Sequence, residues 1–184
     1  MTKPDHVVAD LAHHIEHWPV AVTVADPAEP DCPIVIANVA FGDMTGYRPS
    51  EITGQNCRFL QGSGTDQADV RDLGQAVKAE LPTQTCLLNY RKSGELFHNF
   101  LTVYPLDLTG GRRLLLGCQF VFQIGVAPAI LTDHSARLSD LIGKTDGIVP
   151  NERAALMINS AKAQSGAVAA RLMRYVAAQS RASA

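Results

Sequence analysis

Three consecutive segments in the middle of this 184-residue chain are apolar in both phases of a strand. They run over about 84–91, 95–106 and 112–124, with turns at Ser93-Gly94 and Thr109-Gly110-Gly111. One phase carries Leu87, Phe97, Leu101, Val103, Leu115 and Val121. The other carries Leu88, Tyr90, Phe100, Tyr104, Leu114, Leu116, Phe120 and Phe122. An antiparallel sheet that is apolar on both sides has to be covered twice. The rest of the chain, or a second subunit, must therefore supply two layers.

The flanking sequence offers material for both. Residues 5–17 place Val7, Val8, Leu11 and Ile15 at helical spacing, with Asp5 as a cap and Pro19 just past the end. "VAVTVADPAEPDCPIVIAN" reads as two short strands joined by a loop rich in proline and acid. "NVAFGDMTGYRPSEITGQNCRFLQG" is punctuated by glycine and holds short helical pieces. "TDQADVRDLGQAVKAEL" is a capped amphipathic helix with Val70, Leu73 and Val77 on one face, weakened by Gly74. Beyond Pro128, two helical stretches are separated by Asp146-Gly147 and Pro150; the first carries Ile130, Leu131, Leu138, Leu141 and Ile142. The predicted class is α+β: a five-stranded antiparallel sheet with helices on one face. It is flanked by an N-terminal helix (1–19) and two C-terminal helices (126–184), leaving a core at 20–125.

Composition and charge exclude several classes. No apolar run is long enough to cross a membrane, and "MTKPDHVVADLAHH" lacks the apolar core of a signal peptide. A cytoplasmic location is expected, where Cys32, Cys57, Cys86 and Cys118 are free thiols. None of the four forms a CxxC pair. His13 and His17 have metal-compatible i,i+4 spacing, yet no acidic or cysteine partner completes a site. The formal net charge of −2 gives no general attraction to nucleic acid. Residues 150–184 are locally basic (Arg153, Lys162, Arg171, Arg174 and Arg181 against Glu152), which suits a solvated helix face better than a nucleic-acid contact.

A register argument singles out three amides. If the first hairpin is centred near Gly94, Asn89 faces Asn99; if the second is centred near Thr109, Asn99 faces Gln119. The three carboxamides then form a row on an otherwise apolar face. Burying them without partners is costly, so they bond either to each other or to a flat heterocycle whose edge alternates donors and acceptors. A flavin or a nucleobase has such an edge.

A second cluster is "GQNCRFLQGSG", residues 54–64. A cysteine beside an arginine is open to three readings: reactive thiol, metal ligand or core filling. If the segment is helical, Cys57 and Gln61 share a face and Arg58 points away, within reach of a ligand phosphate.

"NCRFLQG" at 56–62 resembles the signature of LOV domains, the flavin-binding blue-light sensors of the PAS superfamily. Further matches keep the family's order: "DPAEPDCPIVIAN", "FGDMTGYRPSEITGQN", "GTDQADV", "LLNYRKSGELFHNF" and "GCQF". The resemblance spans about Val20 to Gln123. It implies flavin mononucleotide (FMN), held noncovalently in the dark, and a reversible photo-adduct between the Cys57 sulfur and flavin carbon C4a. Asn56, Arg58 and Gln61 would then hold the ribityl and phosphate chain. Asn89 and Asn99 would bond the pyrimidine edge, with Leu101 near the ring, and Gln119 would sense N5. Net substrate turnover is not implied, so an enzyme is not expected.

Two positions depart from the family. Gly74 stands where a second phosphate-binding arginine is common, and Arg71 one turn earlier is the candidate replacement. Riboflavin or FAD would then also be accepted. Leu101 stands where phenylalanine is usual. The expected output is a change in dimerisation or helix packing of a short LOV protein without an effector domain, a homodimer built on the outer sheet face with helices from both ends, acting on an unidentified downstream protein. The competing readings are a flavin redox sensor in which Cys57 is incidental, and a light-regulated DNA-binding regulator using the basic C-terminal helices.

Overall fold

The computed structural model describes residues 6–108 and 111–122, together with Asp133, Ala136, Arg137, Asp140 and Leu141. Helix α1 spans His6–Ile15; strands β1 and β2 span Ala21–Ala25 and Ile34–Ala37. Three short helical segments follow: α2 (Val39–Thr45), α3 (Pro49–Ile52) and a 3₁₀ turn over Cys57–Leu60. Helix α4 covers Gln67–Lys78, and β3 (Thr83–Tyr90), β4 (Leu96–Asp107) and β5 (Arg113–Phe122) complete the described core. The strands form one antiparallel sheet in the order β2-β1-β5-β4-β3.

The sheet is covered on both sides. On the outer face, Leu11 and Ile15 of α1 pack with Trp18, Val22, Tyr104, Leu114, Leu116 and Cys118. Leu141 joins this cluster, and the five described C-terminal positions are helical. The Asp5 cap and the remainder of the two helices expected over 126–184 lie outside the described residues. On the inner face, Phe41, Ile52 and Leu60 pack against Ala21. Tyr90, expected on the outer face, turns to the sheet edge, where its hydroxyl accepts from the Gly64 amide at 2.8 Å.

Both central hairpins pair two residues away from the expected register. Asn89 lies opposite Phe97 rather than Asn99, and Gln119 opposite Leu101 rather than Asn99. The turns explain the offset. Each hairpin closes on a tight turn that ends in a left-handed glycine, Gly94 (φ +87°) or Gly111 (φ +85°). The centre of pairing lies one residue before that glycine. Moving a hairpin centre by one residue moves each partner by two, so every side chain keeps its face.

One side chain ties the two layers to the sheet. Asn38, only 1% exposed, caps α2 through the Phe41 amide (3.0 Å) and accepts from the Val22 amide (2.9 Å). Its amide nitrogen donates to the carbonyls of Val20 (2.8 Å), Ile15 (3.2 Å) and Trp18 (3.4 Å). Removing it strands several buried backbone groups at once. Asn38→Ala should destabilise the fold by about 3 kcal/mol. Urea unfolding monitored by circular dichroism measures this, and a change below about 1 kcal/mol would contradict it.

Candidate functional site

The amide row is present and bonded within itself. Asn89, Asn99 and Gln119 are each 2% exposed and share the inner face. The Asn99 nitrogen donates to Asn89 Oδ1 at 3.0 Å and to Gln119 Oε1 at 2.8 Å. The bonds therefore run diagonally across the strands. They use up the Asn99 donors and leave Asn99 Oδ1 buried with no partner.

A cavity of about 460 Å³ opens between the sheet and helix α4. Its size suits a small-molecule ligand. Leu101, Val103 and Leu115 form its sheet side; Val70, Leu73, Gly74 and Val77 form its α4 side. None of the α4 side chains is fully buried, although the helix has one clear apolar face. That face meets the cavity rather than a packed core. Asn56, Cys57, Arg58 and Gln61 also line the space. Asn89, Asn99 and Gln119 do not; they lie further along the same face.

Cys57 opens the 3₁₀ turn, with the Asn56 side chain accepting from the Arg58 amide at 3.0 Å as its cap. The segment is not α-helical but forms this tighter turn, and Gln61 follows it in extended conformation. Cys57 and Gln61 reach one cavity through that change of backbone direction, not through i,i+4 spacing. The Cys57 sulfur lies 4.0 Å from Thr23 Oγ1. Burial pushes the thiol up to about 11; the Thr23 hydrogen bond works in the opposite direction, and Cys32 adds a further small rise. At neutral pH the sulfur is held protonated and is a poor nucleophile.

The rim is polar. Arg58 Nη1 meets both carboxylate oxygens of Asp31 at 2.6 Å, so part of its charge is already engaged. Asn56 donates to the Asp31 carbonyl at 2.6 Å and holds a turn in which Asp31 and Cys32 have positive φ. Arg71 does not join the cavity. It is exposed, because on α4 it sits about 100° around from Val70 and faces away from the sheet. Gly74 leaves open space: a Cβ there would meet nothing within 4 Å. The cation that α4 does bring to the lining is Lys78, one turn beyond Gly74.

Four residues of structural weight escape the reading from sequence: Thr23, Asn38, Lys78 and Cys32. Lys78 follows the Gly74, Val77 face at helical spacing, and that periodicity could have found it. Thr23 alternates with the buried Val22 and Val24 and so belongs to the opposite face. Cys32 lines the cavity rather than serving only as a loop thiol.

A sheet of this order, with short helices over one face and a cavity beneath them, defines a sensor-type α+β domain. The PAS domain family model matches residues 19–123. The Rhodobacter sphaeroides LOV protein superposes with a TM-score of 0.78 at 27% identity, covering 93% of this chain and 97% of its own. An RsLOV variant gives 0.78 at 30% identity, covering 94% of this chain and 99% of its own. A blue-light-activated histidine kinase 1 of Erythrobacter litoralis is 51% identical over 87 residues, 47% of this chain and 24% of the relative. A blue-light-activated histidine kinase of Brucella canis is 46% identical over 98 residues, 53% of this chain and 20% of the relative. The chain thus spans only about a fifth to a quarter of these curated relatives. The chain belongs to the PAS domain family and, within it, to the LOV domains.

The half-buried, desolvated thiol yields a chemical expectation. In the dark, iodoacetamide at pH 8 should alkylate Cys57 at least about tenfold more slowly than an unhindered cysteine, with the rate rising toward pH 11. Peptide mass spectrometry over a pH series reads this directly. A midpoint near the ordinary thiol value would contradict it.

Proposed function

We propose that this chain is a blue-light photoreceptor that holds FMN in the cavity and bonds it reversibly through Cys57. The observation that carries this reading is the unpartnered Asn99 Oδ1 in a row of buried amides. Leaving such an oxygen without a donor costs about 1–3 kcal/mol. The pyrimidine edge of a flavin carries an N–H between two carbonyls, which an asparagine pair complements. The names of the curated relatives support the same reading.

In this reading Asn89 and Asn99 hold the pyrimidine edge, and Gln119 faces N5. Leu101 and the half-buried Val70, Leu73 and Val77 pack on the ring. Asn56 and Gln61 bind the ribityl chain, while Arg58 and Lys78 meet the phosphate, Lys78 taking the place considered for Arg71. Bound flavin supplies the absorption of blue light and an electrophilic ring carbon, C4a. Cys57 supplies the sulfur and its proton, and the neutral thiol accounts for a lack of reaction in the dark. The bond forms and breaks without net turnover of a substrate.

Output is assigned to self-association or helix packing. Gln119 lies between Cys118 and Phe120, and Cys118 packs in the outer cluster with α1. A rearranged Gln119 amide therefore has a one-residue path to that layer, a spatial relation that measured coupling must support.

Purified protein should be yellow, bleach under blue light and recover in the dark. Cys57→Ala should keep the colour and lose the reversible bleaching. Bleaching that persists in Cys57→Ala would favour the redox-sensor reading. Sedimentation of the wild type in dark and light tests the output, and identical mass at several concentrations would remove self-association. For the ligand's far end, FMN should bind no more than about tenfold tighter than riboflavin, because Arg58 is shared with Asp31 and Lys78 is exposed. Raised salt and Lys78→Ala should each shrink the difference in a fluorescence-quenching titration; a preference near 100-fold would contradict the weak grip.

A further inference from the structure

The row of amides does not end at Gln119. Gln119 Nε2 donates to Thr23 Oγ1 at 3.2 Å, and Thr23 Oγ1 lies 4.0 Å from Cys57 Sγ. One chain of polar contacts thus runs from Asn89 through Asn99, Gln119 and Thr23 to the thiol. Thr23 is 3% exposed and sits on β1 opposite Gly117. Space for its hydroxyl depends on that glycine: a Cβ on Gly117 would come within 2.9 Å of Thr23 Oγ1.

Either Thr23 or Cys57 can be the donor between them, and one of the two directions carries a hydrogen from Thr23 to sulfur. A hydroxyl has a single hydrogen to give. While Gln119 Nε2 donates to Thr23, that hydrogen is available to the Cys57 sulfur. If the Gln119 amide turns over, its oxygen faces Thr23 and draws the hydrogen away from sulfur. The turned amide would also bring Gln119 nitrogen against the Asn99 nitrogen. Without flavin, Asn99 can answer by turning its own amide, since Asn99 Oδ1 has no partner there, at the cost of its bond to Asn89.

We propose that Thr23 is a positioning residue for the Cys57 thiol, and that its hydroxyl ties the thiol's reactivity and the dark lifetime of the sulfur–flavin bond to the orientation of the Gln119 amide. The lifetime half of this rests on the photoreceptor reading; the thiol half does not. When the bond forms, sulfur joins C4a and the thiol proton goes to N5. On reversal the S–C4a electron pair returns to sulfur, the proton leaves N5 for sulfur, and the N5–H pair restores the ring double bond. No net oxidation or reduction occurs. Once the Gln119 amide has turned back to donate to Thr23, a hydrogen bond from Thr23 stabilises the departing sulfur and speeds that return.

The test compares Thr23→Val, which keeps the shape and removes the hydroxyl, with Thr23→Ser, which keeps the hydroxyl. Two readouts are taken on the whole 184-residue chain. The first is recovery of the flavin band after a blue flash. Thr23→Val should slow it by about fivefold or more, and Thr23→Ser should bring it back to within about threefold of wild type. The second is the pH profile of Cys57 alkylation in the dark, whose midpoint should move up in Thr23→Val and not in Thr23→Ser. Wild-type recovery in Thr23→Val with an unmoved alkylation midpoint overturns the proposal, as does equal slowing in both variants, which would make the effect one of packing. If wild-type protein shows no reversible bleaching, the photoreceptor reading fails on its own. The alkylation midpoints then still decide whether the hydroxyl holds the thiol.

Discussion

The placement of β4 between β3 and β5 is the constraint on which the rest of the site depends. Antiparallel pairing on both sides of β4 puts Asn89, Asn99 and Gln119 on one face and within bonding distance. It also leaves β5 free to pair with β1, which brings Thr23 beside Gln119. A slip of one residue in either hairpin would send a whole strand's amides to the opposite face, into the apolar layer under α1. Burying amides there without partners would cost more than most single contacts contribute. The same polar row that makes the site therefore helps to specify the register.

The cavity sits where this polar row meets an incompletely filled apolar space. Helix α4 presents Val70, Leu73 and Val77 toward the sheet, yet none of them is fully buried. An apolar helix face that stops short of a packed core is stable when something else completes it. The walls supply apolar contact and the rim supplies Arg58 and Lys78, while the aligned amides lie further along the same sheet face. Cys57 stands among them as a neutral thiol, restrained by desolvation and, among the described residues, hydrogen-bonded to the Thr23 hydroxyl.

Face membership was legible in the sequence because the period of a strand is two and turn errors preserve parity. Leu101, Gln119 and Cys118 all lie on the expected sides for that reason. Pairing partners were less legible, since they depend on which turn residue takes the left-handed conformation. The 3₁₀ turn at Cys57 escaped because four residues show no clear period, and Gln61 reached the cavity by another geometry. Arg71 is the cation nearest Gly74 along the chain, but one step along a helix from Val70 turns a side chain by about 100°. Thr23 carries no signal of its own: threonine is an ordinary strand residue, and its part depends on Gly117, far away in the chain. Asn38 is similar, since its five partners come from α1, the segment after it, β1 and α2.

A protonated sulfur that bonds a ring carbon must lose its S–H bond, and that vibration falls in a window of the infrared spectrum largely clear of other protein bands. Light-minus-dark infrared difference spectroscopy of the flavin-loaded wild type is therefore the most direct measurement. The expected result is loss of one S–H stretching band under blue light and its return in the dark at the rate of the visible recovery. An unchanged S–H region while the flavin band bleaches would contradict bond formation at Cys57.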